Sequence, residues 1–236
     1  MPVTHVTNPP QPTLRGEAGF TLVELLVATV TSMVVALALF AIIEFSFRQT
    51  AGVSERVHAN QRGRLAMEYV TNQLHSSCVA VSAVPVLAQS TPTALYLLSE
   101  QGSGAYFSSM TEHKLYLSGT TLYDAKYAST GGVAPHWTFS STPSSTRTVL
   151  TGISQSGTTP VFRYYKYEGS TLPETELGTP LSTENAKLTA AVKIAFTVAP
   201  ETKETSNTIG KSVELTNTVL LRFDPASTTS QNTPCT

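Results

Sequence analysis

The chain is 236 residues long, enough for one ordinary domain with an appended element or for two small domains. Its 15 basic and 16 acidic side chains nearly cancel, so no global field calls for nucleic acid or an anionic lipid surface. Charged residues make up 13% of the chain while serine and threonine number 61, a charge-poor, hydroxyl-rich balance that suits an exported β domain.

Residues 1–19 set Pro2, Pro9, Pro10 and Pro12 among polar neighbours and can neither hold a helix nor bury a core. They read as a leader or a loose arm. Residues 25–43 then form 19 consecutive positions without a charge, dominated by Leu, Val, Ala, Ile, Met and Phe. At 1.5 Å per residue this stretch matches the roughly 30 Å hydrocarbon core of a bilayer. Thr29, Thr31 and Ser32 are expected to bond back to the preceding turn and leave the span unbroken.

Residues 48–77 contain no proline, and Met67, Val70, Leu74 and Cys78 fall on one helical face. Gly52 and Gly63 each weaken such a helix by about 1 kcal/mol and mark places where it could bend. A continuous helix over the 58 residues 20–77 would span about 87 Å, longer than packing on one domain requires.

Beyond residue 80 the apolar period changes from 3.6 to 2. Residues 187–198 alternate cleanly, with Leu188, Ala190, Val192, Ile194, Phe196 and Val198 on one face. Val213, Leu215, Val219, Leu221 and Phe223 form a second apolar face, on which Asn217 is the one polar residue. Shorter strands are expected at 94–99, 114–118, 121–127, 147–153 and 161–168, separated by turn-rich stretches such as 131–135 and 140–145. The pattern predicts an α+β chain: a long N-terminal helix whose Met67–Cys78 face covers an antiparallel sheet. Its parts are a leader (1–19), the two helix halves (20–47 and 48–79) and a β-rich head (80–236).

Two cysteines, Cys78 and Cys235, form the whole thiol inventory. An even count in an exported domain favours one disulfide, which would tie down the C-terminus; the other reading is two unrelated small buried residues.

The most informative residues are Gly19, Phe20, Thr21, Leu22, Val23 and Glu24. A carboxylate one turn inside an apolar helix costs a few kcal/mol in lipid without a partner. If the chain is cut after Gly19, the new α-amino group of Phe20 supplies a positive charge four residues upstream. In an assembly, the amine of one subunit can meet Glu24 of its neighbour and fix the axial register, the best-attested use of a buried ion pair.

This junction resembles the class III leader of type IV pilins and type II secretion pseudopilins: a glycine before the cut, an aromatic residue, then Thr-Leu-x-Glu. The resemblance implies that a prepilin peptidase cleaves between Gly19 and Phe20. It also implies that Phe20 is N-methylated, and that Thr21 and Leu22 belong to the recognition motif. Implied partners are other pilins through helix packing, an inner-membrane assembly platform, and membrane lipid before assembly. The expected role is that of a non-enzymatic minor pilin or pseudopilin, single-pass in the cytoplasmic membrane with an extracytoplasmic head and then part of a cell-surface filament. The family's common helix-kinking proline is absent, Ala41 and its neighbours filling that region, and the leader carries only Arg15 offset by Glu17. Residues 64–75 resemble the helix end of larger minor pilins, and 218–222 their closing strand.

Competing readings explain less. A conventional export signal could cleave after Ala36-Leu37-Ala38 but leaves Glu24 inside its apolar region unexplained. A membrane-anchored adhesin, with the helix as anchor alone, is the alternative from another class. No motif supports a hydrolase, a cofactor or a metal: His75 and Cys78 are two ligands without a second pair, and the remaining histidines are scattered. Arg163-Tyr164-Tyr165-Lys166-Tyr167 could stack against a nucleic-acid strand, but is expected to be a solvated, aromatic-rich sheet edge.

Overall fold

The computed structural model describes residues 19–77, 84–101, 109–133, 136–168, 173–201 and 212–221. Residues 1–18 of the expected leader, the bridge candidates Cys78 and Cys235, and Arg222 and Phe223 of the last expected strand lie outside these residues. The chain divides into two compact units, Met1–Arg48 and Gln49–Thr236, and each is described by itself.

The first unit contains the N-terminal part of helix α1 (Leu22–His75). Its apolar side chains, from Leu22 through Phe47, are all exposed. The Thr29 hydroxyl donates to the Leu26 carbonyl at 2.8 Å and the Thr31 hydroxyl to the Val27 carbonyl at 2.9 Å, so both hide their polarity in the helix as expected. Just past the uncharged stretch, Glu44 and Arg48 pair one turn apart at 2.5 Å. Among the described residues, α1 is one helix long and apolar enough to cross a membrane.

Among its described residues, the second unit has the C-terminal part of α1, ten strands and a short helix. The α+β class read from the sequence is the architecture found: a long apolar N-terminal helix and antiparallel sheets. The strands divide between two sheets rather than one. The first holds β1 (Ala94–Gln101), β2 (Ser109–Ser118), β3 (Thr121–Val133), β4 (His136–Phe139) and β5 (Ser145–Thr151), in the order β1-β2-β3-β4, with β5 also pairing with β3. β3 is long enough to host both partners on one edge, β5 along Thr121–Lys126 and β4 along Ser129–Val133. The second sheet holds β6 (Ile153–Ser154), β7 (Phe162–Tyr167), β8 (Pro173–Glu176), β9 (Ala191–Val198) and β10 (Val213–Leu220), in the order β10-β9-β7-β8, with β6 also on β9.

The expected strand at 147–153 is two strands in different sheets. β5 pairs with β3 up to Thr151, and after Gly152 Ile153 pairs with Val198 of the other sheet. Gly152 has φ +76°, a left-handed turn that glycine adopts without steric cost. The strand expected from residue 187 begins at Ala191, because helix α2 (Thr183–Leu188) precedes it. Ser182 caps α2 by accepting from the Asn185 N–H at 3.1 Å, and Leu188 is 46% exposed although it continues the apolar alternation. The stretch 131–135 was expected to be a turn, yet Gly131–Val133 complete β3, with Gly131 and Gly132 at positive φ beside a register shift. β7 is not a sheet edge. It lies between β8 and β9, with Tyr164 fully buried and its hydroxyl donating to the Thr91 and Ala94 carbonyls at 3.0 and 3.2 Å.

One core joins the helix stripe to the inner faces of both sheets: Met67, Val70 and Leu74 with Leu95, Leu97 and Leu115 of the first sheet and Phe162, Val192 and Phe196 of the second. Each such large side chain contributes about 1.5–3 kcal/mol on burial. Ala59, Gly63 and Ala66 extend the stripe toward the N-terminus. Their smallness brings helix and sheet backbones together. A Cβ on Gly63 would lie 2.2 Å from Leu215 Cδ1 and 2.9 Å from Val198 Cγ2. Gly63 is therefore a packing contact and not the bend suggested by its helix propensity.

Candidate functional site

Gly19, Phe20 and Thr21 precede the helix, and Leu22 is its first residue. Phe20 and Leu22 are each 81% exposed, so none of the described residues shields the Gly19–Phe20 bond. Thr21 caps α1: its hydroxyl accepts from the Glu24 N–H at 3.2 Å and its carbonyl accepts from the Leu25 N–H at 3.2 Å. Thr-x-x-Glu is the spacing of a capping box, and Glu24 also places a carboxylate in the first turn, where the helix dipole favours it. Glu24 itself is exposed. Two of the motif residues thus have a local structural role that reading them only as recognition and register elements had missed; the capping-box spacing was the available signal.

The remaining sequence candidates separate. His75 is exposed at the end of α1, and its companion Cys78 lies outside the described residues. Trp137 sits on β4 and packs, half-buried, on Leu98 and Met110. Asn217, the polar residue on an apolar face, donates to the Thr71 hydroxyl of α1 at 3.3 Å.

A second polar cluster lies inside the second unit. Asp124 of β3 and His113 of β2 have side chains 0% and 4% exposed, and His113 Nδ1 is 3.1 and 3.2 Å from the two carboxylate oxygens. The Tyr69 hydroxyl of α1 donates to Asp124 Oδ2 at 2.5 Å, and the Arg147 guanidinium lies 5.0 Å from the Tyr69 ring centre. Burial alone would raise the Asp124 pKa, but the hydrogen bonds from His113 and Tyr69, with nearby Lys126, hold the carboxyl below its ordinary range. Burial, reinforced by Asp124, pushes the Tyr69 phenol well above its usual value, so it stays a donor. The sequence carried one unread signal for this cluster: Asp124 shares strand parity with Leu122, a carboxylate on an apolar face.

On the opposite face of the first sheet, Lys114 Nζ lies 5.2 Å from the ring centres of both Tyr96 and Tyr116, and Tyr116 stacks on Tyr123 at 5.4 Å. This ladder satisfies its own ring faces.

No family model matches the chain, and no curated protein matches it. Among solved structures, it is similar to a type IV-like pilin from Thermus thermophilus, with 10% identity over 68% of this chain and 94% of that one and a TM-score of 0.42.

Proposed function

We propose that this chain is a non-enzymatic subunit, a minor pilin or pseudopilin, of a type IV pilus-like or type II secretion-like filament. A prepilin peptidase cuts after Gly19, Phe20 becomes the N-methylated first residue, and an inner-membrane platform moves the subunit from lipid into the filament. The observation that carries this reading is the exposed apolar N-terminal part of α1, Leu22 through Phe47, with one carboxylate, Glu24, in its first turn, directly after the exposed residues Gly19 and Phe20. In a plain anchor the first-turn position would return about 0.3–1 kcal/mol, less than the roughly 2.5–3.5 kcal/mol that a carboxylate without a partner costs in lipid. In the filament, Glu24 receives the Phe20 amine of a neighbouring subunit.

Replacing Glu24 tests the register role. Glu24→Val is expected to insert in the membrane at the level of the parent chain and to lose most of its incorporation into filaments, read by shearing and immunoblotting. Undiminished incorporation would refute the ion-pair role.

A further inference from the structure

We propose that the buried Tyr69–Asp124–His113 network is a docking lock, which fixes the axial register of the C-terminal part of α1 on the β-sheets.

The contact of α1 with the sheets has an apolar stripe in which the small residues Ala59 and Ala66 alternate with Met67, Val70 and Leu74. Dispersion and hydrophobic contact carry little directional information, so apart from the close approach at Gly63 such a stripe resists sliding weakly. The polar contacts do carry it, and they flank the stripe. Toward the first sheet, the Tyr69 hydroxyl donates to Asp124, whose side chain is fully buried and whose other donor is His113. Toward the second, Asn217 reaches Thr71, while Arg62 pairs with Glu201 at 2.6 Å and donates to the Ala199 carbonyl at 3.1 Å.

These contacts differ in the cost of breaking them. Glu201 is exposed, so water can take its place as the partner of the Arg62 terminal nitrogens, although the rest of that guanidinium is largely covered. Asp124 cannot be rehydrated where it sits. Moving α1 by one turn, about 5.4 Å, would withdraw the Tyr69 hydroxyl and leave a buried carboxylate short of a donor. The same movement would bring Ala59 or Met67 to the place of Gly63, where a Cβ meets Leu215 and Val198. The carboxylate and the glycine therefore select the same register by independent means. Tyr69 of α1, His113 of β2, Asp124 and Lys126 of β3 and Arg147 of β5 make up the charged and titratable side of this contact. β1 contributes Leu97, the register partner of His113.

The test uses the full chain in detergent micelles, with the photocrosslinker p-benzoyl-phenylalanine placed at Thr216. That exposed position on β10 lines a groove with Arg64, Met67, Glu68 and Thr71. Adducts mapped by mass spectrometry should fall within residues 64–71 for the parent chain. In Tyr69→Phe, which removes the donor, and Asp124→Leu, which removes both acceptor oxygens, the share of adducts one turn or more away should rise on the order of tenfold, as expected for losing a hydrogen bond to a charged group. His113→Gln, which can still donate to Asp124, should hold the parental map. Val192→Ala, a core truncation in β9, should lower the melting temperature without moving the adducts. Parental maps in both Tyr69→Phe and Asp124→Leu, with melting lowered as in Val192→Ala, would overturn the proposal and leave the network as packing alone.

Discussion

At the scale of single residues, polar side chains on apolar faces proved the most instructive. Asn217 was visible in the sequence as a break in its strand's apolar face, and it meets Thr71 of the helix. Asp124 was equally visible by parity with Leu122, but its partners were not, because Tyr69 lies 55 residues away and only the fold unites them. The network gives the stability a defined pH dependence. Asp124 titrates below its ordinary value of 3.8 when folded, so its contribution is complete above that value and is lost as pH falls through the lower, folded one. Tyr69 has the opposite sign: its pKa lies above the ordinary 10.0, and its contribution is complete below that value and lost as pH rises beyond it. The contributions of Asp124 and Tyr69 to thermal melting of the full chain should therefore be flat between about pH 5 and 9 and fall at both ends. Asp124→Asn should flatten the acid limb and Tyr69→Phe the alkaline one; limbs unchanged by these substitutions would dissociate the network from the pH response.

At the scale of elements, periodicity located helix and strands well and partners poorly. Met67, Val70 and Leu74 were legible as the buried face, because helical spacing alone aligns them. The small-residue part of the stripe was not, since a glycine scores only as a weak helix former until its neighbour is known. Gly63 is where local propensity and packing disagree. Alanine there would gain about 1 kcal/mol in helix propensity but must displace Val198, a fully buried side chain, as well as the Leu215 methyl. Overpacking of that kind costs about 1–3 kcal/mol, so Gly63→Ala should destabilise by about 1 kcal/mol net and Gly63→Leu by more, read by thermal melting. A raised melting temperature for the alanine variant would show that helix and sheet are not in close contact. The helix before β9 and the sheet change at Gly152 escaped the sequence reading for similar reasons. The first was masked by an alternation that ran on through Leu188, and the second depends on strand partners more than 40 residues away, Ile153 with Val198 and Ser154 with Thr197.

At the scale of the whole molecule, composition indicated an exported β domain and hydropathy a membrane-length helix, and the architecture has that helix together with antiparallel sheets. The junction between leader and helix gives the layout its proposed purpose. Thr21 caps the helix two residues after Gly19, leaving the Gly19–Phe20 bond in non-helical, exposed chain. The central claim is that this bond is where the protein is matured. The most direct test is the N-terminus of the protein isolated from membranes or filaments of a strain that makes it, read by intact mass and terminal peptide sequencing. A chain beginning at N-methylated Phe20 is the expected result. An uncut chain beginning at Met1, or one cleaved after Ala38 as a conventional signal would be, would contradict the account.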